Sequence, residues 1–346
     1  MRAWLSIVTF GIILLVLYVS RQELAHAWGV VQQANIWILV ALLVPLQFLS
    51  YYAMGETMFS YLRSQGVGKG ISHLKFARLS LEMNFVNHVL PSAGVSGVSY
   101  MAWRLKHVGI SLSKSTSAQL VRAVAVSGGF AIVLAISVIA LLLDGSLNRW
   151  MTFFVAVLLC AILALVSVIV YVLERNEKIA ALARGLVRFA NLSIRLVTFG
   201  RVAKKFPSEV PLKDFLHDVQ SDYRIIRRHK KLLSLPLLWG VIFSMLEVAM
   251  FYSAFLALGH PINPAVIAVA FGLAGASGLL AVTPGGAGLY EVVMVGFLTV
   301  AGVDPAVGIA AIVMARALLM LGTIVTGYYF YQQAVLKHGK SPKSVA

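Results

Sequence analysis

The chain has 346 residues, 60% of them hydrophobic and only 12% charged, with a mean hydropathy of +0.87. Soluble domains carry about twice that share of charge, so the composition excludes a water-soluble globular fold and places the chain in a bilayer. The formal charge of +16 marks cytoplasmic loops and contact with anionic headgroups; nucleic acid is not an expected partner.

Met1-Arg2 precedes an apolar run from Ala3 to Val19, followed by Ala25-His26-Ala27. The pattern mimics a secretory signal with its cleavage site, but the membrane character downstream makes an uncleaved first span the expectation. Ile36 to about Leu62 is a second span, closed by a basic loop with Arg63, Lys69, Lys75 and Arg78. Leu79–Trp103 is apolar but interrupted at Pro91, which leaves each arm about a dozen residues, half a bilayer core at about 1.5 Å per residue. A re-entrant hairpin with its tip at Pro91–Gly97 is expected. Ser117–Leu143 and Met151–Leu173 are full spans; Cys160, the single cysteine, lies in the second and is assigned to packing.

Glu174–Lys231 is the one extended polar region, with fourteen Lys and Arg against six Asp and Glu. Arg184, Arg188 and Arg195 share a helical face, which reads as an amphipathic helix on an anionic inner leaflet. Leu232–Leu258 spans again. Ala265–Gly302 is a second broken segment, interrupted at Pro284-Gly285-Gly286, and its 38 residues suffice for a hairpin or for two crossings. Gly272, Gly275, Ala276 and Gly278 within it are assigned to close helix packing. Pro305–Tyr331 is the last span, ending in Tyr328, Tyr329 and Tyr331 like an interfacial aromatic belt. The expected fold is an all-α polytopic membrane protein, a single domain over 1–346, with about six full spans and two broken or re-entrant segments.

If Arg2, the two basic loops, the 174–231 region and the tail share one side, that side holds 25 of the 29 Lys and Arg. The positive-inside rule makes it cytoplasmic, with both termini there, in a cytoplasmic (inner) membrane. Two copies of one pattern (span, broken segment, span) then emerge, over 36–143 and 232–331. Pro91 precedes Gly109-Ile110 by 18 residues and Arg122-Ala123 by 31; Pro284 precedes Gly302-Val303 by 18 and Arg316-Ala317 by 32. The first broken segment opens from the cytoplasm and the second from outside. Such inverted repeats are common in secondary transporters, with substrate held near the midplane by discontinuous helices.

Ionisable residues inside a membrane are costly and functional by default. Here they are Glu82, Arg122, Glu247, Glu291 and Arg316, with His88 in the first broken segment and Glu56 near a span end. Arg122 and Arg316 occupy matching repeat positions, where two guanidiniums facing one cavity would suit a phosphate or phosphodiester. The bland alternative pairs each arginine with a carboxylate for structure. Glu247 or Glu291 would hold an amine or a coupling proton. Glu82, Asn87 and His88 are secondary candidates. Helix starts after Pro91 and Pro284 would aim N–H groups inward. No P-loop, HExxH or GxSxG string is present, and Gly94-Val95-Ser96-Gly97 beside His88 lacks a third group to orient the histidine. No catalytic residue, metal or cofactor is expected.

Pro284-Gly-Gly-Ala-Gly-Leu-Tyr-Glu291 with Arg316 downstream, and Asn87…Pro91…Gly97 upstream, resembles the lysylphosphatidylglycerol synthase transmembrane family of flippase-like membrane proteins. The likeness covers nearly the whole chain. It implies that Pro284, Gly285, Gly286, Gly288, Glu291 and Arg316 form the core motif, with Pro91 and Arg122 as partners. It also implies movement of a lipid from the inner to the outer leaflet, lysylphosphatidylglycerol in the full synthase and other lipids in stand-alone relatives. Two departures stand out: no aminoacyl-transferase domain is expected beyond Ala346, and Val95–Tyr100 lacks the acidic residue and arginine that many relatives place there.

The expected function is therefore translocation of a phospholipid or other amphipathic lipid between leaflets, not covalent catalysis. Its expected partners are lipids with anionic or zwitterionic headgroups, a homo-oligomer being compatible with the sequence. The alternative is a non-catalytic accessory subunit of a lipid- or polyprenyl-glycan-modifying enzyme, bound through the basic region. A membrane-embedded transferase is disfavoured, since no catalytic cluster faces water.

Overall fold

A computed structural model describes residues 28–68, 70–89, 95–145, 147–174, 231–278 and 288–339. The first apolar run, the stretch Pro91–Gly94, nearly all of the amphipathic basic region, Pro284-Gly285-Gly286 and the last lysines lie outside these residues. Among the described residues the fold is carried by α1 (Ile36–Ser64), α2 (His73–Val89), α3 (Val95–Lys106), α4 (Leu112–Leu143), α5 (Arg149–Glu174), α6 (Lys231–Ala257), α7 (Pro264–Gly278), α8 (Leu289–Val300) and α9 (Pro305–His338). Four of them, α1, α4, α6 and α9, are long and apolar enough to cross a membrane, and α5, α7 and α8 add shorter apolar stretches. The chain is thus an all-α, multi-pass membrane protein.

Helix starts follow local chemistry. Asn35 accepts from Trp37 N–H at 3.1 Å and begins α1, and Asp304 accepts from Ala306 N–H at 2.9 Å with Pro305 behind it, beginning α9. Ser111 caps α4 by accepting from Lys114 N–H, so α4 starts ahead of its apolar run at Ser117. Likewise α2 takes in the basic stretch from His73 that the hydropathy pattern leaves to the loop.

The helix ends sort to two faces. Asn35 N–H donates to Ala257 O at 2.7 Å, Asn263 Nδ2 to Asp144 Oδ2 at 3.0 Å, and Asn148 Nδ2 to Val300 O at 2.8 Å. These bonds gather the starts of α1, α5 and α7 with the ends of α4, α6 and α8. At the opposite end Arg78 Nη2 donates to Phe330 O at 3.4 Å, and the His107 and His338 rings lie 4.9 Å apart, joining the start of α2 to the ends of α3 and α9. That second end carries Arg63, Lys75, Arg78, Arg104, Lys106, Lys114, Lys231 and Lys337; the first carries Arg149.

Three clusters form the core, the smallest being Phe85, Val86 and Tyr100. Of the other two, the larger is built from α1 and α4–α9 around Leu134, Phe255, Ile267 and Leu298; the smaller joins α1–α4 at the basic end around Phe59, Phe76 and Met101. Lipid tails are as apolar as leucine, so helices associate through close backbone packing, which small residues permit. A Cβ on Gly129 of α4 would overlap the Gly240 backbone of α6, and one on Gly240 would overlap Ala125 O. Gly272 similarly abuts the Phe130 ring.

Three packing expectations are corrected. Gly275 meets nothing within 4 Å and Ala276 is exposed, because the close face of α7 is the one through Gly272. Cys160 is exposed on α5, a helix that among the described residues packs only lightly on its neighbours. Tyr331 lies inward against Phe85 and Tyr100, at 5.4 and 5.5 Å between ring centroids, leaving Tyr328 and Tyr329 on the surface.

Candidate functional site

The start of α8 is the local structure on which the site is built. Gly288 precedes it at φ +95°, a left-handed conformation that glycine adopts without the steric penalty of a Cβ. With no side chain there to cap the helix, Glu291 reaches back, and its Oε2 accepts from Gly288 N–H at 2.7 Å. A carboxylate in the first turn also faces the positive end of the helix dipole. Its other oxygen accepts from Arg316 Nη1 of α9 at 2.5 Å. The guanidinium lies 4.3 Å from the centroid of the Tyr290 ring. Glu291 is therefore both helix cap and counter-charge, and cap, ion pair and cation–π contact form one unit across α8 and α9.

This unit is one wall of a cavity of about 450 Å³. Gln47, Ser50 and Tyr51 of α1, Glu247 and Phe251 of α6, Tyr290 and Glu291 of α8, and Arg316 and Thr323 of α9 line it. Ser50 and Glu247 stand near the middle of their long helices, so the cavity lies deep between the two helix-end faces. Ser50 Oγ donates to Glu247 Oε1 at 2.6 Å, and this is the Glu247 carboxyl's hydrogen bond among the described residues. No described cation pairs with it. Gln47 Nε2 donates to Leu319 O at 2.7 Å and to Tyr51 Oη at 3.0 Å, while Tyr51 Oη is also bonded to Thr323 Oγ1. The lining is apolar and aromatic, with a few convergent polar groups and one carboxyl without a cation among the described residues, the usual character of a small-ligand site.

The other sequence candidates fall elsewhere. Glu82 is fully buried at the basic end, accepting from Arg104 Nε at 2.7 Å, Tyr100 Oη at 2.8 Å and Arg78 Nε at 2.9 Å. That carboxylate is saturated by its neighbours and knits α2 to α3. Asn87 Oδ1 accepts from Gly97 N–H at 2.9 Å, tying the end of α2 to the start of α3. His88 lies in the last turn of α2. Glu56 is paired with Arg63 and with His73 Nδ1. Arg122 is on α4 and is not part of the cavity wall, so the two arginines do not face one cavity. Pro91, Pro284, Gly285 and Gly286 lie outside the described residues. A second, polar cavity of about 530 Å³ at the face opposite the basic end contains Asp144, Asn263 and Asp304, but Asn263 already occupies Asp144 and Asp304 caps α9.

Sequence reasoning missed Gln47, Ser50, Tyr51, Tyr290 and Thr323. The first three were findable: polar groups at spacings of three and four residues within an apolar helix mark one face. Tyr290 and Thr323 carry no comparable signal.

No solved structure matches the chain. It is 27% identical, over 81% of its own length and 80% of the relative's, to a UPF0104 membrane protein of Methanothermobacter thermautotrophicus (strain Delta H). The profile of the family described as the lysylphosphatidylglycerol synthase TM region matches residues 3–327, the broken segments and the cavity included. The chain belongs to the lysylphosphatidylglycerol synthase transmembrane-region family.

Proposed function

We propose that the chain is a flippase-like translocator, moving an amphipathic lipid with an anionic or zwitterionic headgroup between leaflets of the cytoplasmic membrane. The observation that carries this reading is the deep cavity with Arg316, Glu291 and Glu247 in its wall. An arginine fork suits a phosphodiester, and a carboxylate without a cationic partner suits an amine. The family is described by lysylphosphatidylglycerol, a lipid with both groups. Among the described residues no three His, Cys, Asp or Glu stand close enough to hold a metal ion.

In this reading α1–α4 and α6–α9 are inverted copies spanning 36–143 and 232–331, with α2–α3 and α7–α8 as the re-entrant arms. At about 1.5 Å per residue α7 and α8 extend about 22 and 18 Å, short of a core of about 30 Å. Support comes from two features. The α2–α3 pair is rooted at the basic end and α7–α8 at the other. The first arm of each pair also packs on the last long helix of the opposite copy, α2 on α9 and α7 on α4. The basic end faces the cytoplasm, and the termini and the 174–231 region lie on that side.

Reconstitution in vesicles carrying fluorescently labelled phosphatidylglycerol, phosphatidylethanolamine or lysylphosphatidylglycerol tests the proposal, with loss of outer-leaflet fluorescence to an impermeant quencher as the readout. Wild-type protein should equilibrate at least one label, and Arg316→Ala and Glu291→Gln should slow it about tenfold or more, the loss of one charge-assisted contact. Full transport by both variants rejects the site; no transport of any lipid rejects the function. The alternative of an accessory subunit predicts instead that deleting Arg184–Lys205 releases a partner enzyme.

A further inference from the structure

One face of α4 carries an unusual accumulation of buried polar atoms without partners. Ser115 is fully buried and its Oγ makes no hydrogen bond. Gln119, only 6% exposed, donates through Nε2 to Val98 O of α3 at 3.3 Å, but its Oε1 accepts nothing. Arg122 Nε is buried and donates to nothing. Positions 115, 119 and 122 are spaced by four and three residues, which places them in one stripe along the helix. Ala118 and Val121, which lie between them along the chain, pack with Met101 and Leu105 in the smaller core.

Buried polar groups are almost always satisfied, and each exception calls for an explanation such as an ordered water, an ion or a ligand. Three on one stripe of one helix call for a common one. The charge pattern identifies its sign. Glu56, Glu82 and Glu291 each pair with a cation inside the protein, and Arg63, Arg78, Arg104 and Arg316 are their partners. Arg122 has no carboxylate partner among the described residues, although an unpaired guanidinium inside a membrane is costly. The stripe also begins in the first turn of α4, where helix N–H groups and the dipole favour an anion, and Lys114 adjoins it. Side chains on a helix lean towards its N-terminus, which for α4 is the basic end and the direction in which Gln119 and Ser115 precede Arg122.

We propose that Ser115, Gln119 and Arg122 form a second anion site, outside the deep cavity, that holds a phosphate group at the depth of the basic-end leaflet. Arg122 and the Ser115 hydroxyl supply donors to the phosphate oxygens. Gln119 Oε1 accepts from a hydroxyl or ammonium group, which a phospholipid headgroup offers beside its phosphate and free phosphate offers as its own P–OH, so the test must separate the two sources. The exposed part of the half-buried Arg122 side chain marks the way in. The site stands apart from the translocation reading, because it is defined by binding alone.

The test is native mass spectrometry of the purified full-length protein released from nanodiscs of phosphatidylglycerol and phosphatidylcholine, read as lipid retained per chain. Wild type should retain one phospholipid that survives collisional activation. Arg122→Gln should lower the retained fraction about tenfold, and Ser115→Ala, which removes one hydroxyl without enlarging the residue, should lower it in the same direction. Arg122→Lys keeps charge without the fork and should fall between. Cys160→Ser, at an exposed position of α5 outside both the stripe and the cavity wall, should leave this lipid in place. Retention of phosphate from millimolar inorganic phosphate, with no retained lipid in wild type and no such adduct from chloride, assigns the site to free phosphate. Equal lipid retention and equal phosphate response in wild type, Ser115→Ala and Arg122→Lys overturn the proposal, and because both variants are conservative the result does not depend on a damaged fold.

Discussion

If the cap and the ion pair at the start of α8 form one unit, Glu291 and Arg316 must be energetically coupled. Changing Glu291 to Gln leaves one oxygen to serve two donors, Gly288 N–H at 2.7 Å and Arg316 Nη1 at 2.5 Å. The amide oxygen keeps the cap and the arginine loses its counter-charge. The two side chains are 26% and 23% exposed, between the fully exposed and fully buried cases. Exposed pairs contribute about 0.2–1 kcal/mol, whereas stripping one partner from a buried pair costs about 3–5 kcal/mol. Each single change should therefore cost about 2 kcal/mol, with Arg316→Gln about 0.5–1 kcal/mol worse because its cation–π contact with Tyr290 goes too. The double variant should cost about 1.5 kcal/mol less than the sum of the singles. Reversible denaturation in mixed micelles, followed by tryptophan fluorescence, measures all four corners of the cycle. A coupling energy below about 0.3 kcal/mol, the scatter of independent sites, would refute the shared-unit reasoning.

Glu82→Gln should destabilise by about 3 kcal/mol or more, since it leaves Arg104 and Arg78 without their shared carboxylate, and a lowered thermal midpoint in detergent checks this. Its transport, measured on the folded fraction, should match wild type, as Glu82 lies outside the cavity. Gly129→Ala and Gly240→Ala should each reduce the yield of monodisperse protein sharply, because a Cβ would overlap the facing backbone, while Gly275→Ala, with nothing within 4 Å, should express normally. Gly288→Ala should cost about 1–2 kcal/mol through its positive φ alone, since the space around it is open; equal stability to wild type would show that the turn relaxes.

The element pattern was readable because burying a backbone in lipid demands long apolar helices with capped, charged ends. Runs beginning near Ile36, Leu232 and Pro305 start their helices within one residue of where hydropathy places them. The failures came where a cap or a charged turn outweighed composition, as at Ser111 and His73. Within the site, Glu291 and Arg316 were legible as a pair because both are charges in apolar segments. Glu82 carried the same signal and proved to be saturated by Arg78, Arg104 and Tyr100. Hydropathy reports that a charge is buried, not whether a neighbour already satisfies it.

Sequence alone determined the solvent, the helical class, the polarity of the two ends and the family, for these follow from composition, period and local motif. Tertiary structure decided which charges are spent and which are open. It set Arg316 against Glu291 and Tyr290, left Glu247 with a serine in a deep cavity, and parted Arg122 from that cavity although the repeat spacing had paired it with Arg316. The physical reason is that partners 25 or 197 residues apart along the chain meet only when helices pack, and in lipid the choice of partner is what an ionised group's energy depends on.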